Sequence, residues 1–170
     1  SYFLLGAGFM LVETKAITEL GLVFGNTWQV IGFVICGVLL MSLLANFIVA
    51  LAKPKKLWIP GGLLMVSILV GYFAAMFWGF QSDLTGKIVA IVILTLPMLF
   101  SGILFAGLLR TDVSVAGGLA ANVFGAMCGG LLEYNAMMFG YQSLYLLAIV
   151  VYVCALFSMR DKPTPALTLD

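Results

Sequence analysis

The sequence predicts an all-α, polytopic membrane protein, on the strength of its composition and of its long apolar runs. Of its 170 residues, 64% are hydrophobic and 9% are charged, whereas about a quarter of the residues of a soluble domain are charged. A helix that crosses a bilayer needs about 20 mostly apolar residues, and the chain contains six such runs. A lipid-facing β-strand would instead alternate apolar and polar residues over about ten positions.

Turn-forming residues separate the six runs in chain order. Gly25 ends the first run, and Pro54 lies in a basic turn after the second. Polar residues 81–83 precede the fourth run, Arg110 ends it, and Gly140 separates the fifth from the sixth. Because such residues end or cap helices, we predict transmembrane helices over residues 2–24, 27–52, 57–80, 85–109, 113–139 and 141–159, followed by a cytoplasmic tail over residues 161–170.

The basic residues predict the orientation of the bundle. Six of them follow the second, fourth or sixth predicted helix, and Lys87 alone lies on the opposite side. Because loops rich in Lys and Arg remain in the cytoplasm, we expect both termini there. The six are Lys53, Lys55, Lys56, Arg110, Arg160 and Lys162.

The same composition argues against several classes of protein. A net charge of +1 provides no field that would attract nucleic acid. Histidine is absent, and Cys36, Cys128 and Cys154 lie in separate apolar runs without the spacing of a zinc site. We therefore predict no nucleic-acid binding, no metal site and no cofactor.

The fifth run carries two parallel rows of small residues, which let another helix approach closely in lipid. This pattern predicts that helix five is central and that the chain packs against other membrane segments or subunits as well as the lipid bilayer. In the fourth run, Pro97 removes a backbone donor and predicts a kink, with Thr95 or Ser101 able to bond the freed groups. The two rows are Gly117, Ala121, Gly125 and Gly129, and Gly118, Asn122, Ala126 and Gly130.

The first run contains three charged residues, although an ionised group at mid-membrane costs at least about 2.5 to 3.5 kcal/mol. Lys15 and Glu19 are four residues apart, so we predict that they pair along one helix face. Glu13 lies about 160° from Lys15 around the helix and needs another partner. Candidate partners are Glu133, Asn122, Asn135, Asn46, Gln29, Thr14 and Thr18.

Glu133 follows the small residues of the fifth run, and it supports two interpretations. Two carboxylates that face one cavity would bind a cation or share a proton. Alternatively, Lys15 contacts Glu133 or Glu19 and the charges only fix the register of the helices. The candidate intramembrane polar site is therefore Glu13, Lys15, Glu19, Asn122 and Glu133.

Two stretches, FLLGAGFMLVETKAITELGLVFGNTW and SGILFAGLLR with GLAANVFGAMCGGLLEY, resemble the membrane portion of bacterial spermidine-synthase-like proteins. The resemblance implies one half of a major-facilitator-like bundle in the bacterial inner membrane, with an aminopropyltransferase-like domain upstream. It implies no enzyme in this chain, which has no room for a soluble catalytic domain. The acidic and basic signature of major facilitators after the second helix is replaced by basic residues 53–56.

Three functions remain open at this point. We favour a non-catalytic membrane domain or subunit that assembles with other membrane segments. The second is half of a transporter for a small cationic or proton-coupled solute, because rocking transport needs two halves. The third is a membrane region that guides an amine or lipid-soluble substrate to an attached aminopropyltransferase-like enzyme.

Overall fold

The computed structural model describes residues 1–25, 27–54, 56–77, 84–111 and 114–160. Within these ranges the chain forms seven helices and no β-strand. Four predicted features lie outside these ranges. They are the end of helix three at residue 80, the turn at residues 81–83, the start of helix five at residue 113 and the tail over residues 161–170. The helices are α1 (Tyr2–Phe24), α2 (Trp28–Ala52), α3 (Trp58–Phe77), α4 (Leu84–Thr111), α5 (Val115–Leu132), α6 (Asn135–Phe139) and α7 (Ser143–Arg160).

Four segments of these helices are long and apolar enough to cross a membrane, which indicates a membrane-embedded helical protein. The helix α7 contributes a shorter apolar segment, Ser143–Met159. The helix α1 has sufficient length, with 23 residues, but its three charged residues set it apart from the other long helices. The four segments are Ile31–Ala52, Trp58–Met76, Thr85–Thr111 and Val115–Phe139.

Side-chain contacts show that the long helices form an up-and-down bundle. The ring of Tyr2 packs against that of Phe105, with 6.0 Å between centroids, and Lys87 Nζ lies 5.6 Å from the Phe24 ring centroid. The beginning of α1 therefore meets the end of α4, and the end of α1 meets its beginning. These two helices are antiparallel, as expected for connected helices that alternate in direction.

The central helix is α1, which packs against α2, α4, α5 and α7. The prediction that helix five is central is wrong: α5 packs against α1 and touches α4 only lightly. The reason is that the small residues of α5 occupy one face, which α1 covers, while large apolar side chains on its other faces point outward. These exposed side chains are Leu119, Val123, Phe124, Met127 and Leu131.

Glycines bring the backbones of α1 and α5 into direct contact. A Cβ atom on Gly125 would overlap the Phe3 carbonyl, and one on Gly129 would lie 2.6 Å from the Ala7 carbonyl oxygen. Gly118 instead packs against side chains, with the Tyr2 ring 3.1 Å from a Cβ placed there, so the contact with α1 follows residues 118, 125 and 129. The seam therefore combines members of the two predicted rows.

Of the remaining residues of the two rows, Asn122 and Ala126 meet Gly6 through their backbone atoms, and the others contribute less. Gly117 is exposed, and a Cβ there would meet only Ser114 of its own helix. A Cβ on Gly130 would meet nothing closer than Met10 Cγ at 4.0 Å. Ala121 and Ala126 are partly buried.

The residues of α5 that contact α1 are 118, 122, 125 and 129. Their spacing alternates four and three residues, which keeps one face of a helix against its neighbour.

The fifth predicted helix is interrupted at Glu133, which separates α5 from α6. The Asn135 side chain donates a hydrogen bond to the Leu132 carbonyl over 2.8 Å, and the Ala136 N–H bonds to the Glu133 carbonyl instead. A side chain that occupies a backbone acceptor competes with the helix. Gly140, at φ 81°, then ends α6 in the left-handed conformation that glycine favours.

Pro97 lies inside α4, as the sequence requires. The two hydroxyls that were expected to bond the groups freed by Pro97 have other partners. Thr95 Oγ1 donates to the Ile91 carbonyl over 2.7 Å, and Ser101 Oγ accepts a hydrogen bond from the Tyr152 hydroxyl over 3.0 Å. Ser101 therefore joins α4 to α7.

Candidate functional site

A buried lysine forms the centre of the polar site. The Lys15 side chain is 2% exposed, and it forms the predicted salt bridge with Glu19, one turn further along α1. Burial of an amine in an apolar bundle requires such a partner, because an unpaired charge is strongly destabilised there. The prediction of an intrahelical pair is confirmed.

An aromatic ring provides the second contact of the amine. Lys15 Nζ lies 5.1 Å from the centroid of the Tyr145 ring, within the range of a cation–π interaction. The Tyr72 ring packs edge-on against Tyr145 with 5.8 Å between centroids. Lys15 therefore joins α1 to α7, and Tyr145 in turn contacts Tyr72 of α3.

The carboxylate of Glu133 bonds to α1 through a threonine. Thr14 Oγ1 donates a hydrogen bond to Glu133 Oε2 over 3.1 Å, and Thr18 Oγ1 donates to the Thr14 carbonyl over 2.8 Å. Thr14 is itself buried, with 8% of its surface exposed. Of the two partners proposed for Lys15, the structure selects Glu19, and Glu133 bonds to Thr14.

Glu13 remains without a partner among the described residues, where it forms neither a hydrogen bond nor a salt bridge. It follows Met10 by three residues, and Met10 packs at Gly129. Residues three apart share a helix face, so Glu13 lies on the side of α1 that faces α5. Its side chain is partly exposed.

The other candidate partners lie elsewhere. The Asn122 backbone carbonyl meets Gly6, seven residues before Glu13 and therefore about 10 Å away along α1. Asn46 is exposed on α2 and donates to the Ser42 carbonyl over 3.1 Å. Asn135 bonds to the Leu132 carbonyl, and the side chain of Gln29 lies outside the described part of the structure.

Sequence reasoning missed both tyrosines of α7 that face α1. Tyr152 is 1% exposed, and Gly8 leaves room for its ring, since a Cβ there would lie 2.7 Å from Tyr152 Cζ. Tyr145 and Tyr152 are seven residues apart, so they share one face of α7. That spacing of two polar aromatics within an apolar helix was the available signal.

The polar site combines the Lys15–Glu19 ion pair with more carboxylates than amines. This level of α1 and α5 carries one amine, Lys15, and three carboxylates, those of Glu13, Glu19 and Glu133, of which Glu19 pairs with the amine. Such a cluster can fix helix register, and its surplus carboxylate can hold a proton or a cation. Two surface cavities occur elsewhere, between α3 and α7 and between α2, α4 and α5, and neither is lined by Glu13 or Glu133.

Comparisons with protein families, with curated proteins and with solved structures find no match to this chain. The resemblance to the membrane portion of spermidine-synthase-like proteins therefore stays a prediction that depends on the residues of α1, α4 and α5. The interpretation of the polar site depends on its geometry alone.

Proposed function

We propose that this chain is a non-catalytic membrane domain or subunit with six membrane crossings, which assembles with other membrane segments or a larger membrane complex. The observation that supports it best is the internal pairing of the polar site. Lys15 bonds to Glu19 and stacks on Tyr145, and Glu133 accepts a hydrogen bond from Thr14. Buried pairs of this kind can fix the register of helices.

The alternating helix directions support six crossings, in which α1 and α7 join the four long apolar segments. Lys53, Lys56 and Arg110 are exposed at the end of the bundle where α2 and α4 finish. That asymmetry supports a cytoplasmic location for this end, and a bacterial inner membrane accords with the resemblance of the sequence. The open outer face of α5 is the surface that we assign to assembly.

The test is the mass of the complex extracted from native membranes in mild detergent. We expect the chain in a defined complex with other membrane polypeptides. The variant Ala120→Trp, on the exposed side of α5, should reduce the assembled fraction, whereas Leu43→Trp on the exposed face of α2 should leave it unchanged. A single chain in lipid or detergent, with neither variant having an effect, would overturn the proposal.

A second candidate, half of a transporter for a cationic or proton-coupled solute, is favoured by Glu13. This carboxylate has no partner among the described residues and adds to the acidic excess of the site. We expect Glu13→Gln to insert normally, because it removes a charge from the membrane. If proteoliposomes show proton- or cation-coupled uptake that this variant abolishes, scaffolding alone is untenable. Coupled uptake that the variant leaves unchanged removes the carrier.

A further inference from the structure

A groove with a basic mouth lies between α2 and α5, with α4 as its floor. Its volume is about 340 Å³, within the range of small-molecule sites, roughly 300 to 1,000 Å³. Its walls are mostly apolar, and Arg110 is the charged residue that lines it. The lining residues that carry the argument are Asn46, Ala50, Phe105, Ala106, Arg110 and Val115.

A second cation lies at the same height as Arg110. The helices α2 and α4 run in parallel, because Gly37 packs at Thr95 and Ala45 at Gly102. Eight residues beyond that second contact lie Lys53, the first residue after α2, and Arg110, next to the last residue of α4. Since each residue advances a helix by about 1.5 Å, the two basic residues lie level at the same end of the bundle.

The groove therefore has positive charge at the end where α2 and α4 finish and apolar surface along the rest of its walls. Arg110 forms no salt bridge with any acidic residue that the structure describes. Asn46, the other polar group in the wall, already donates to the Ser42 carbonyl. In a bilayer, basic pockets between helices bind the head groups of anionic lipids, whose acyl chains accept an apolar wall.

We propose that this groove binds an anionic phospholipid, with its phosphate at Arg110 and Lys53 and one acyl chain along Phe105 and Ala106. The ligand class follows from the positive charge of Arg110 and the mostly apolar walls of the groove. The inference is independent of the proposed assembly and of the orientation of the bundle, because it concerns the isolated chain and a lipid present around it.

The test is native mass spectrometry of the full chain in detergent, titrated with phosphatidylglycerol or with phosphatidylcholine of the same acyl chains. The wild-type chain should retain phosphatidylglycerol preferentially. Arg110→Gln should weaken retention about fivefold, which corresponds to the roughly 1 kcal/mol that a basic residue contributes near anionic lipid. Arg110→Lys keeps the charge and should retain the lipid, and Lys87→Gln, at the other end of the bundle, should change nothing.

A second pair of variants tests the acyl position. Ala106→Phe fills the groove and should lower lipid retention, whereas Val153→Phe fills the other cavity, between α3 and α7, and should not. Equal retention of both lipids, equal loss in Arg110→Gln and Lys87→Gln, or no effect of Ala106→Phe would each overturn the proposal. So would a doubled chain mass that excludes lipid, which would mean that a second copy occupies the groove.

Discussion

Gly129 and Gly130 are adjacent on α5, but we expect a glycine-to-alanine substitution to change the stability of the protein differently at the two positions. A Cβ on Gly129 would lie 2.6 Å from the Ala7 carbonyl oxygen and 2.9 Å from Ala7 Cα, both of them backbone atoms that cannot rotate away. Ordinary contact begins at 3.4 Å, so Gly129→Ala must separate α1 and α5 by about 0.8 Å at this point. Forced overpacking of this kind costs about 1 to 3 kcal/mol. The same Cβ on Gly130 meets only Met10 Cγ at 4.0 Å.

The helix propensity of alanine acts equally on both variants and stabilises each by about 1 kcal/mol relative to glycine. We therefore expect Gly130→Ala to be neutral or stabilising, and Gly129→Ala to be less stable than Gly130→Ala by about 1 to 3 kcal/mol. Gly125→Ala, which overlaps the Phe3 carbonyl, should be at least as unstable as Gly129→Ala. The measurement is the free energy of reversible unfolding in mixed micelles. Equal stabilities of the Gly129 and Gly130 variants would refute the close α1–α5 contact.

Three further substitutions test the contacts around α1, by the same unfolding measurement. Glu19→Gln leaves the Lys15 amine buried without its counter-charge and should cost about 3 to 5 kcal/mol; a stability within error of the wild type would show that the pair is not buried. Tyr145→Phe keeps the ring beside Lys15 and should be mild, whereas Tyr145→Leu should cost up to about 2 kcal/mol more, the strength of a desolvated cation–π contact; equal effects would remove that contact. Tyr152→Phe deletes the hydrogen bond to Ser101 and should cost about 0.6 kcal/mol, and at most about 1.7, while a cost above 3 would mean that the hydroxyl does more than bond Ser101.

Features that depend on neighbours in the chain could be predicted from the sequence. Lys15 and Glu19 pair because residues four apart always share a helix face. Gly25 and Gly140 mark the ends of α1 and α6 because glycine adopts positive φ without strain. The apolar runs likewise indicate the long helices, since length and hydropathy are properties of the run itself.

Features that depend on the arrangement of helices could not. The sequence does not show which of the two small-residue rows of α5 contacts another helix. The position of α1 decides that Gly118, Gly125 and Gly129 form the contact. Tyr145 lies 130 positions after Lys15, so its cation–π contact needs the packing of α7 on α1. The break at Glu133 depends on a rotamer of Asn135 that competes for the Leu132 carbonyl.

The central claim is that polar side chains on α1 hold neighbouring helices in register, and a double-mutant cycle between Thr14 and Glu133 tests it most directly. Thr14→Val and Glu133→Met each remove one partner of the 3.1 Å hydrogen bond and keep the side chain near its original size. The cycle isolates the interaction between the two positions. We predict a coupling energy of about 0.6 kcal/mol, and at most about 1.7, as for other hydrogen bonds between membrane helices. A coupling of zero within error would contradict the claim.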